Sequence, residues 1–407
     1  MGSSAALLWA ISMTFAMRLA VFYGAIFLVI GSFLPFFPVW LDAQNLSAGE
    51  IGVILASPLF VRILVTPVVA IAADRNGDRR RFVIALASGA SLASLLYIPS
   101  PSFWTILAVT IAFALFWVSI MPLTETIAMS GVRLEGLDYG RMRLWGSLSF
   151  IGVSMLGGAA IERAGPNAAL AMFITAVAFV VVAAFALPKP TGKGHLKAAI
   201  DQPRVRIVDA LALLKSPLFL LLLLTTSMVQ GSHAFYYAFA TLHWRSIGIP
   251  AITIGQLWAV GVVAEIALFL ISRRIVVAVG AARLIAVAAI AAVVRWTIMA
   301  FDPPLEILTP VQLLHGLTFG AAHLGALHFI SQAIPEDRAA TAQGLYAAVT
   351  AGIAMGTGML VAGPIYAQMG GRGYLVMAGV AGISTLAAWL LCVCWHGEPI
   401  LRAAARP

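Results

Sequence analysis

Five charged side chains interrupt long apolar runs of this chain: Arg62, Glu125, Arg143, Glu265 and Arg295. If those runs lie in a hydrocarbon layer, each charge costs about 2.5–3.5 kcal/mol or more to insert, so each marks a site that binds something or passes a proton. Arg143 has the sharpest spacing. Ser147 and Phe150 follow it at i+4 and i+7, so the three share one helix face. A guanidinium is a planar fork for a carboxylate or for hydroxyls, and a ring further along offers a stacking wall. That face could hold a small molecule with a polar head and a flat body. Snorkelling of Arg141 and Arg143 to lipid headgroups, and ordinary packing of Phe150, are the structural alternatives.

Two further runs carry polar faces. Gln230, His233 and Tyr237 recur on one side of QGSHAFYYAF, and Gln312, His315, Phe319 and His323 fall within a stripe of roughly 80° in QLLHGLTFGAAHL. Such faces belong in a bundle interior or a water-filled cavity, where a histidine can serve either a transport step or an interhelical hydrogen bond. No metal or cofactor is expected: His323 and His328 lie on different faces, and neither an HExxH string nor a cysteine cluster occurs.

The elements that must hold these residues are membrane helices. Of 407 residues, 61% are apolar and 10% charged, against about 25% charged in a soluble fold. Runs long enough to cross a layer of ~30 Å recur near 16–41, 50–73, 82–99, 102–129, 143–161, 166–187, 217–243, 252–271, 282–301, 305–332, 340–368 and 373–396. Backbone polar groups in lipid must be satisfied within the segment, so twelve transmembrane helices are predicted. Arg62, Glu265 and Arg295 then lie mid-span, and Glu125 nearer the cytoplasmic side. Between Arg143 and Glu162 there is about 27 Å of helix. That is slightly less than the layer, which draws Arg143 inward while Arg141 can remain in the loop.

The net charge of +9 has a topological cause. Apart from the mid-span Arg62 and Arg295, every Lys and Arg except Arg163, Arg245 and Arg372 falls at the ends or in alternate loops. This bias places both termini in the cytoplasm of a multi-pass inner-membrane protein and leaves no case for nucleic-acid binding. The start, Met1 to Met17, lacks the basic region of a cleavable signal, and Cys392 and Cys394 read as buried, inert thiols.

The polar stretch 188–216 divides the chain into residues 1–187 and 217–407, each with six spans, and Ile207, Leu211 and Leu214 could form the apolar face of a short surface helix in it. Gly165-Pro166 and Gly363-Pro364 fit helix breaks. DRNGDRRR at 74–81 could simply set topology, while Asp74, Arg79 and Arg80 could also lock helices at a cytoplasmic gate.

That loop resembles the signature of the major facilitator superfamily. GLDYGRMRLWGSLSF (136–150), GSHAFYYAF (231–239), GVVAEIALF (261–269), VVRW (293–296) and QLLHGLTFGAAHL (312–324) resemble its phenylpropionate:proton symporter family across essentially the whole chain. The resemblance implies an all-α major facilitator fold of two six-helix bundles that alternately expose a midplane site. A more distant likeness to lactose permease implies a substrate-binding charge pair at Glu125 and Arg143, a stacking aromatic at Phe150, and a charged network including Glu265 and Arg295. The chain departs from that relative at Gln312 and Thr318, where a lysine and the proton-carrying glutamate would stand. The proton site is therefore sought among Glu125, Glu265, His315 and His323.

The expectation is a secondary transporter, working as a monomer, that takes up a small aromatic organic anion with a proton. Arg62, Glu125, Arg143, Phe150, His233 and Tyr237 would bind substrate; Glu265, Arg295, His315 and His323 would couple it to the proton. Three arginines against two glutamates favour an anion. A sugar or nucleoside:proton symporter is the alternative, with drug efflux third. ATP drive lacks its GxxxxGK[ST] string. A membrane-embedded enzyme would need clustered carboxylates, a metal or a nucleophile with its base, so no enzymatic activity is expected. A non-transporting sensor of the same fold would share these features.

Overall fold

The computed structural model describes residues 14–100, 102–188 and 207–400. Within them every regular element is a helix. In chain order these are α1 (Phe15–Ala43), α2 (Ala48–Asn76), α3 (Arg79–Leu95), α4 (Phe103–Trp117), α5 (Ile120–Glu135), α6 (Tyr139–Ala164), α7 (Asn167–Ala186), α8 (Ile207–Leu214), α9 (Pro217–Ser246), α10 (Ala251–Leu270), α11 (Ser272–Val279), α12 (Ala281–Met299), α13 (Leu305–His315), α14 (Ala322–Ala333), α15 (Glu336–Ala347), α16 (Met355–Met369) and α17 (Tyr374–Cys394). Two π-helical stretches, Gly316–Ala321 and Ala348–Ala354, join α13 to α14 and α15 to α16.

Local sequence explains the helix ends. Ser102 and Thr105 form a capping box at α4, and the side chains of Asp78, Asp138 and Ser216 accept backbone N–H groups at the starts of α3, α6 and α9. Ser47 and Glu50 make the same reciprocal exchange before α2. Gly136 ends α5 at φ +65°, in the left-handed region where a side chain would be strained.

Ten of the described stretches are long and apolar enough to cross a membrane. The difference from the expected twelve has two sources. Arg338–Cys394 counts as one stretch, though the turn at Gly370–Gly373 divides it into two helices. The other is α3, which with 17 residues is shorter than its neighbours. The anticipated span 102–129 is interrupted at Val118 and Ser119, between α4 and α5. Gly165-Pro166 does separate α6 from α7, whereas α16 runs unbroken through Gly363-Pro364.

The chain divides into two compact units. The first comprises residues 1–46, 61–202 and 248–259; the second, 47–60, 203–247 and 260–407. In the first, α1 packs on α6 and α7, and α3 on α4 and α7. Its core is an aromatic cluster in which Phe37 stacks on Phe33 at 4.5 Å and meets Trp40, Tyr97 and Phe173, with the Tyr97 hydroxyl hydrogen-bonded to Thr110. Gly158 and Gly255 let α6 and the first turns of α10 touch backbone to backbone, and Glu162 accepts the Ala251 N–H at 2.8 Å.

In the second unit α17 packs on α9 and α12, and α16 on α9. Gly52 and Gly363 bring the start of α2 against α16. Trp296 donates to Ser232 at 2.8 Å, and Ser384 to the Thr225 carbonyl at 2.8 Å, so these two hydrogen bonds join the helices through buried polar groups.

The linker anticipated at 188–216 is described only at Pro188 and from Ile207 onward, and Met1–Met13, Arg402 and Arg406 also lie outside the described residues. A short helix, α8, forms as expected, but its buried face is Asp209 and Leu213, one turn apart, while Leu211 and Leu214 point outward. Asp209 is held by Arg338 of α15 at 3.2 Å, and that ion pair orients the helix. Cys392 is only partly buried and Cys394 is exposed, contrary to the expectation of two buried thiols.

Candidate functional site

Four of the five charges that interrupt the apolar runs fall into two clusters, one in each unit. In the first unit, Arg143 of α6 faces Glu125 of α5 at 3.8 Å, with the two side chains 29% and 31% exposed. This is an ion pair without hydrogen-bond contact, and a ligand can reach it. Beneath the guanidinium lies Phe27 of α1, 4.0 Å from its centroid, and Tyr23 follows at 5.6 Å. Tyr23 and Tyr139 meet edge to face at 6.4 Å. Gly146 leaves room for this stack, since a Cβ there would lie 2.8 Å from Phe27 and 3.2 Å from the Arg143 guanidinium.

Phe150 shares the Arg143 face of α6 but is buried, with Gly31 of α1 packed against its backbone and ring. The ring placed against the guanidinium is Phe27. Arg141, by contrast, is 88% exposed and pairs with Asp138 at 3.4 Å. Arg62 is exposed on α2, and no ion pair within 4.0 Å is recorded for it among the described residues.

The loop between α2 and α3 is tied within the same unit. Asp74 takes a hydrogen bond from Arg79 at 2.5 Å, Arg80 donates to the Phe185 carbonyl at the end of α7 at 2.6 Å, and Arg81 pairs with Asp78 at 3.0 Å. Three helix ends are thereby fastened by two arginines.

The second unit holds a larger network. Arg295 of α12 is fully buried. Its Nη1 donates to His315 Nδ1 at 3.1 Å and to Thr318 Oγ1 at 3.1 Å, and its Nη2 to Gln312 Oε1 at 3.0 Å. Its guanidinium also lies 4.6 Å from the Tyr236 ring and 4.7 Å from that of Trp296. Among the described residues these acceptors are neutral, and no carboxylate pairs with it. His315 turns its other nitrogen, Nε2, towards Glu265 of α10 at 3.9 Å. His233 of α9 bonds the Val229 carbonyl through Nδ1 at 2.9 Å and Thr318 through Nε2 at 3.0 Å.

The cluster has an inner and an outer layer. Arg295, Gln312, Thr318, His233 and Trp296 are buried, whereas Glu265, Tyr237 and Phe319 are partly exposed. His315, stacked on Phe319 at 5.4 Å, connects the layers. His323 lies further along, stacked on Phe319 at 6.5 Å and bonded to the Tyr346 hydroxyl at 3.2 Å, outside the Arg295 network. A π-helical stretch, Gly316–Ala321, lies between His315 and His323, and Phe319 within it stacks on both rings.

Of the residues expected from sequence, Glu125 and Arg143 come together, as do His233, Glu265, Arg295 and His315; Tyr237 lies beside His233 at 5.8 Å. Sequence reasoning passed over Tyr23 and Phe27. Their i, i+4 spacing on an apolar helix was the available signal, but it carries no polar contrast. Tyr139, four residues before Arg143, is also new. Among the described residues, no group of three potential metal ligands occurs.

Three comparisons bear on these clusters. The model of the MFS_1 like family matches residues 16–376. A protein of Escherichia coli (strain K12) named "Probable 3-phenylpropionic acid transporter" is 32% identical over 369 residues, which cover 89% of this chain and 94% of that one. The maltose permease of Geobacillus stearothermophilus is 28% identical over 336 residues, 82% of this chain and 83% of the permease. Among solved structures, that of the nucleoside transporter NupG superposes with a TM-score of 0.79 over 94% of this chain and 99% of that chain, at 16% identity, a likeness of fold alone.

Proposed function

The chain belongs to the MFS_1 like family, a multi-pass membrane transporter of the major facilitator type and not an enzyme, and from that premise we propose that it takes up a small aromatic organic acid together with a proton. The single observation that carries this reading is the Arg143–Glu125 pair: 3.8 Å apart, part-exposed and backed by Phe27. An incoming carboxylate can take the guanidinium from Glu125 bidentately, at closer range than the resident partner holds it. The 32% identical relative, whose printed name is that of a phenylpropionic acid transporter, supports an aromatic acid as the substrate.

In this reading Glu125 and Arg143 are the substrate-binding pair, flanked by Phe27 and Tyr23, while Glu265, Arg295 and His315 couple transport to the proton. Phe150, which the resemblance offered as the stacking ring, supports α6 against α1. Asp74, Arg79 and Arg80 act on the rate at which the carrier changes conformation. Substrate reaches each side in turn by alternating access in the inner membrane, with both termini cytoplasmic.

A sugar:proton symporter is the second reading, favoured by the 28% identity to a maltose permease and by the tyrosine hydroxyls that flank Glu125. Thermal-shift screening of the purified carrier against aromatic acids, sugars and nucleosides, followed by uptake of the stabilising compound into proteoliposomes, tests both. Stabilisation by aromatic carboxylates and their pH-driven accumulation are expected. Stabilisation by neutral sugars alone would replace the first reading with the second.

A further inference from the structure

We propose that Arg295 is a positioning residue: from behind His315 it fixes which ring nitrogen carries the proton, and so leaves proton uptake and release in this cluster to Glu265. The argument begins with what each group can do. A guanidinium only donates hydrogen bonds, and a backbone carbonyl only accepts them. Arg295 Nη1, 3.1 Å from His315 Nδ1, therefore requires a lone pair on Nδ1. The ring proton of His315 sits on Nε2, the nitrogen that faces Glu265 at 3.9 Å.

The second histidine is fixed from the other end. The Val229 carbonyl, 2.9 Å from His233 Nδ1, requires a proton on Nδ1. In the neutral ring Nε2 then accepts, and its partner at 3.0 Å is the Thr318 hydroxyl. That hydroxyl, 3.1 Å from Arg295 Nη1, accepts from the arginine and donates to His233. The bonds thus have one direction throughout. They run outward from Arg295, through Thr318 and His233 to the Val229 carbonyl on one side, and through His315 towards Glu265 on the other.

A second proton on His315 would have to enter at Nδ1, where it would meet a fully buried guanidinium head-on and break its hydrogen bond. One on His233 would set a second positive charge beside the buried guanidinium and turn the Thr318 hydroxyl away from His233 to the His315 carbonyl, 3.5 Å away. The other titratable groups packed around the arginine are the phenols Tyr236 and Tyr237 of α9 and Tyr374 of α17. Phenols ordinarily titrate near pH 10, far above the working range. Glu265, part-exposed at 24%, is the group able to change charge without breaking this chain of bonds. The consequence for transport rests on the proton-coupled reading above; the protonation pattern does not.

The test is 15N NMR of the full-length, substrate-free carrier in lipid with 15N-labelled histidine, the His315 signals being assigned by difference against H315Q. Between about pH 5 and 8, where a histidine ordinarily titrates, His315 should show a protonated Nε2 and a bare Nδ1 throughout. In R295Q, whose amide can donate or accept, the single tautomer should be lost, or an imidazolium should appear within the same window. An imidazolium or an Nδ1–H tautomer in the unaltered carrier would overturn the proposal, and so would R295Q retaining the single tautomer. If R295Q does not fold, the unaltered spectrum still decides. Because no substrate is present, a failure of the organic-acid reading, seen as no pH-driven accumulation by the unaltered carrier, is scored separately.

Discussion

Arg143 and Glu125 approach to 3.8 Å without forming a hydrogen bond, and both remain about a third exposed. A half-buried ion pair this loose has paid for desolvation without collecting full Coulombic return, so a better-fitting anion can displace one partner. Phe27, 4.0 Å below the guanidinium, holds its plane while the partner changes.

The first prediction follows from that plane. Arg143→Lys keeps the charge but loses the bidentate fork and the stacking on Phe27, so substrate affinity should fall about tenfold to a hundredfold, the worth of one or two charge-assisted hydrogen bonds. Arg141→Lys, at an 88% exposed position paired with Asp138, should leave binding within a factor of about two. Equilibrium binding by calorimetry measures both. Equal affinity in the Arg143 variant and the unaltered carrier would remove this arginine from the site.

Glu265→Gln removes the titrating group and keeps the shape. Counterflow exchange, which moves no net protons, should persist within a few-fold, while accumulation driven by a pH gradient should collapse to equilibration. Both are read in the same proteoliposomes. A variant that still concentrates substrate places the proton site elsewhere, with His323 and Glu125 next in line.

The helical spans and the polar faces of α9, α13 and α14 were legible because a membrane excludes charge, so every exception stands out against apolar neighbours. Arg295 and His315 were visible for that reason. Tyr23 and Phe27 were not: an aromatic side chain lining a site and one facing lipid look alike in composition. His323 was grouped with His315 on an ideal helical stripe. The stripe is kept, since Phe319 stacks on both histidines, but His323 lies a further step along it and bonds Tyr346 rather than Arg295. For Phe150 the helix face was legible but its depth was not, and the packing alternative fits its burial against Gly31.

Asp74 fastens Arg79 at 2.5 Å, while Arg80 holds the Phe185 carbonyl. Asp74→Asn weakens the first contact from an ion pair to a neutral hydrogen bond and touches none of the intramembrane clusters. Turnover should change several-fold with substrate affinity unchanged, a split that initial-rate uptake and binding measurements resolve. If both rate and affinity match the unaltered carrier, the loop serves topology alone.

The last prediction separates the two readings by charge. A monoanion carried with one proton moves no net charge, whereas a neutral sugar carried with one proton moves a full positive charge. A membrane potential of 100 mV acts on one charge with about 2.3 kcal/mol, which is roughly fiftyfold in the accumulation ratio. With the pH gradient clamped at zero and a potassium diffusion potential imposed, uptake of an aromatic acid should therefore stay at the equilibrated level. The converse condition, a pH gradient of one unit with the voltage clamped, should drive about tenfold accumulation. The first unit agrees with this sign: Glu125 holds Arg143 only at 3.8 Å, so a substrate carboxylate can take its place on the guanidinium. Voltage-driven uptake of a neutral sugar, with no response of the aromatic acid to the pH gradient, would defeat the anion reading.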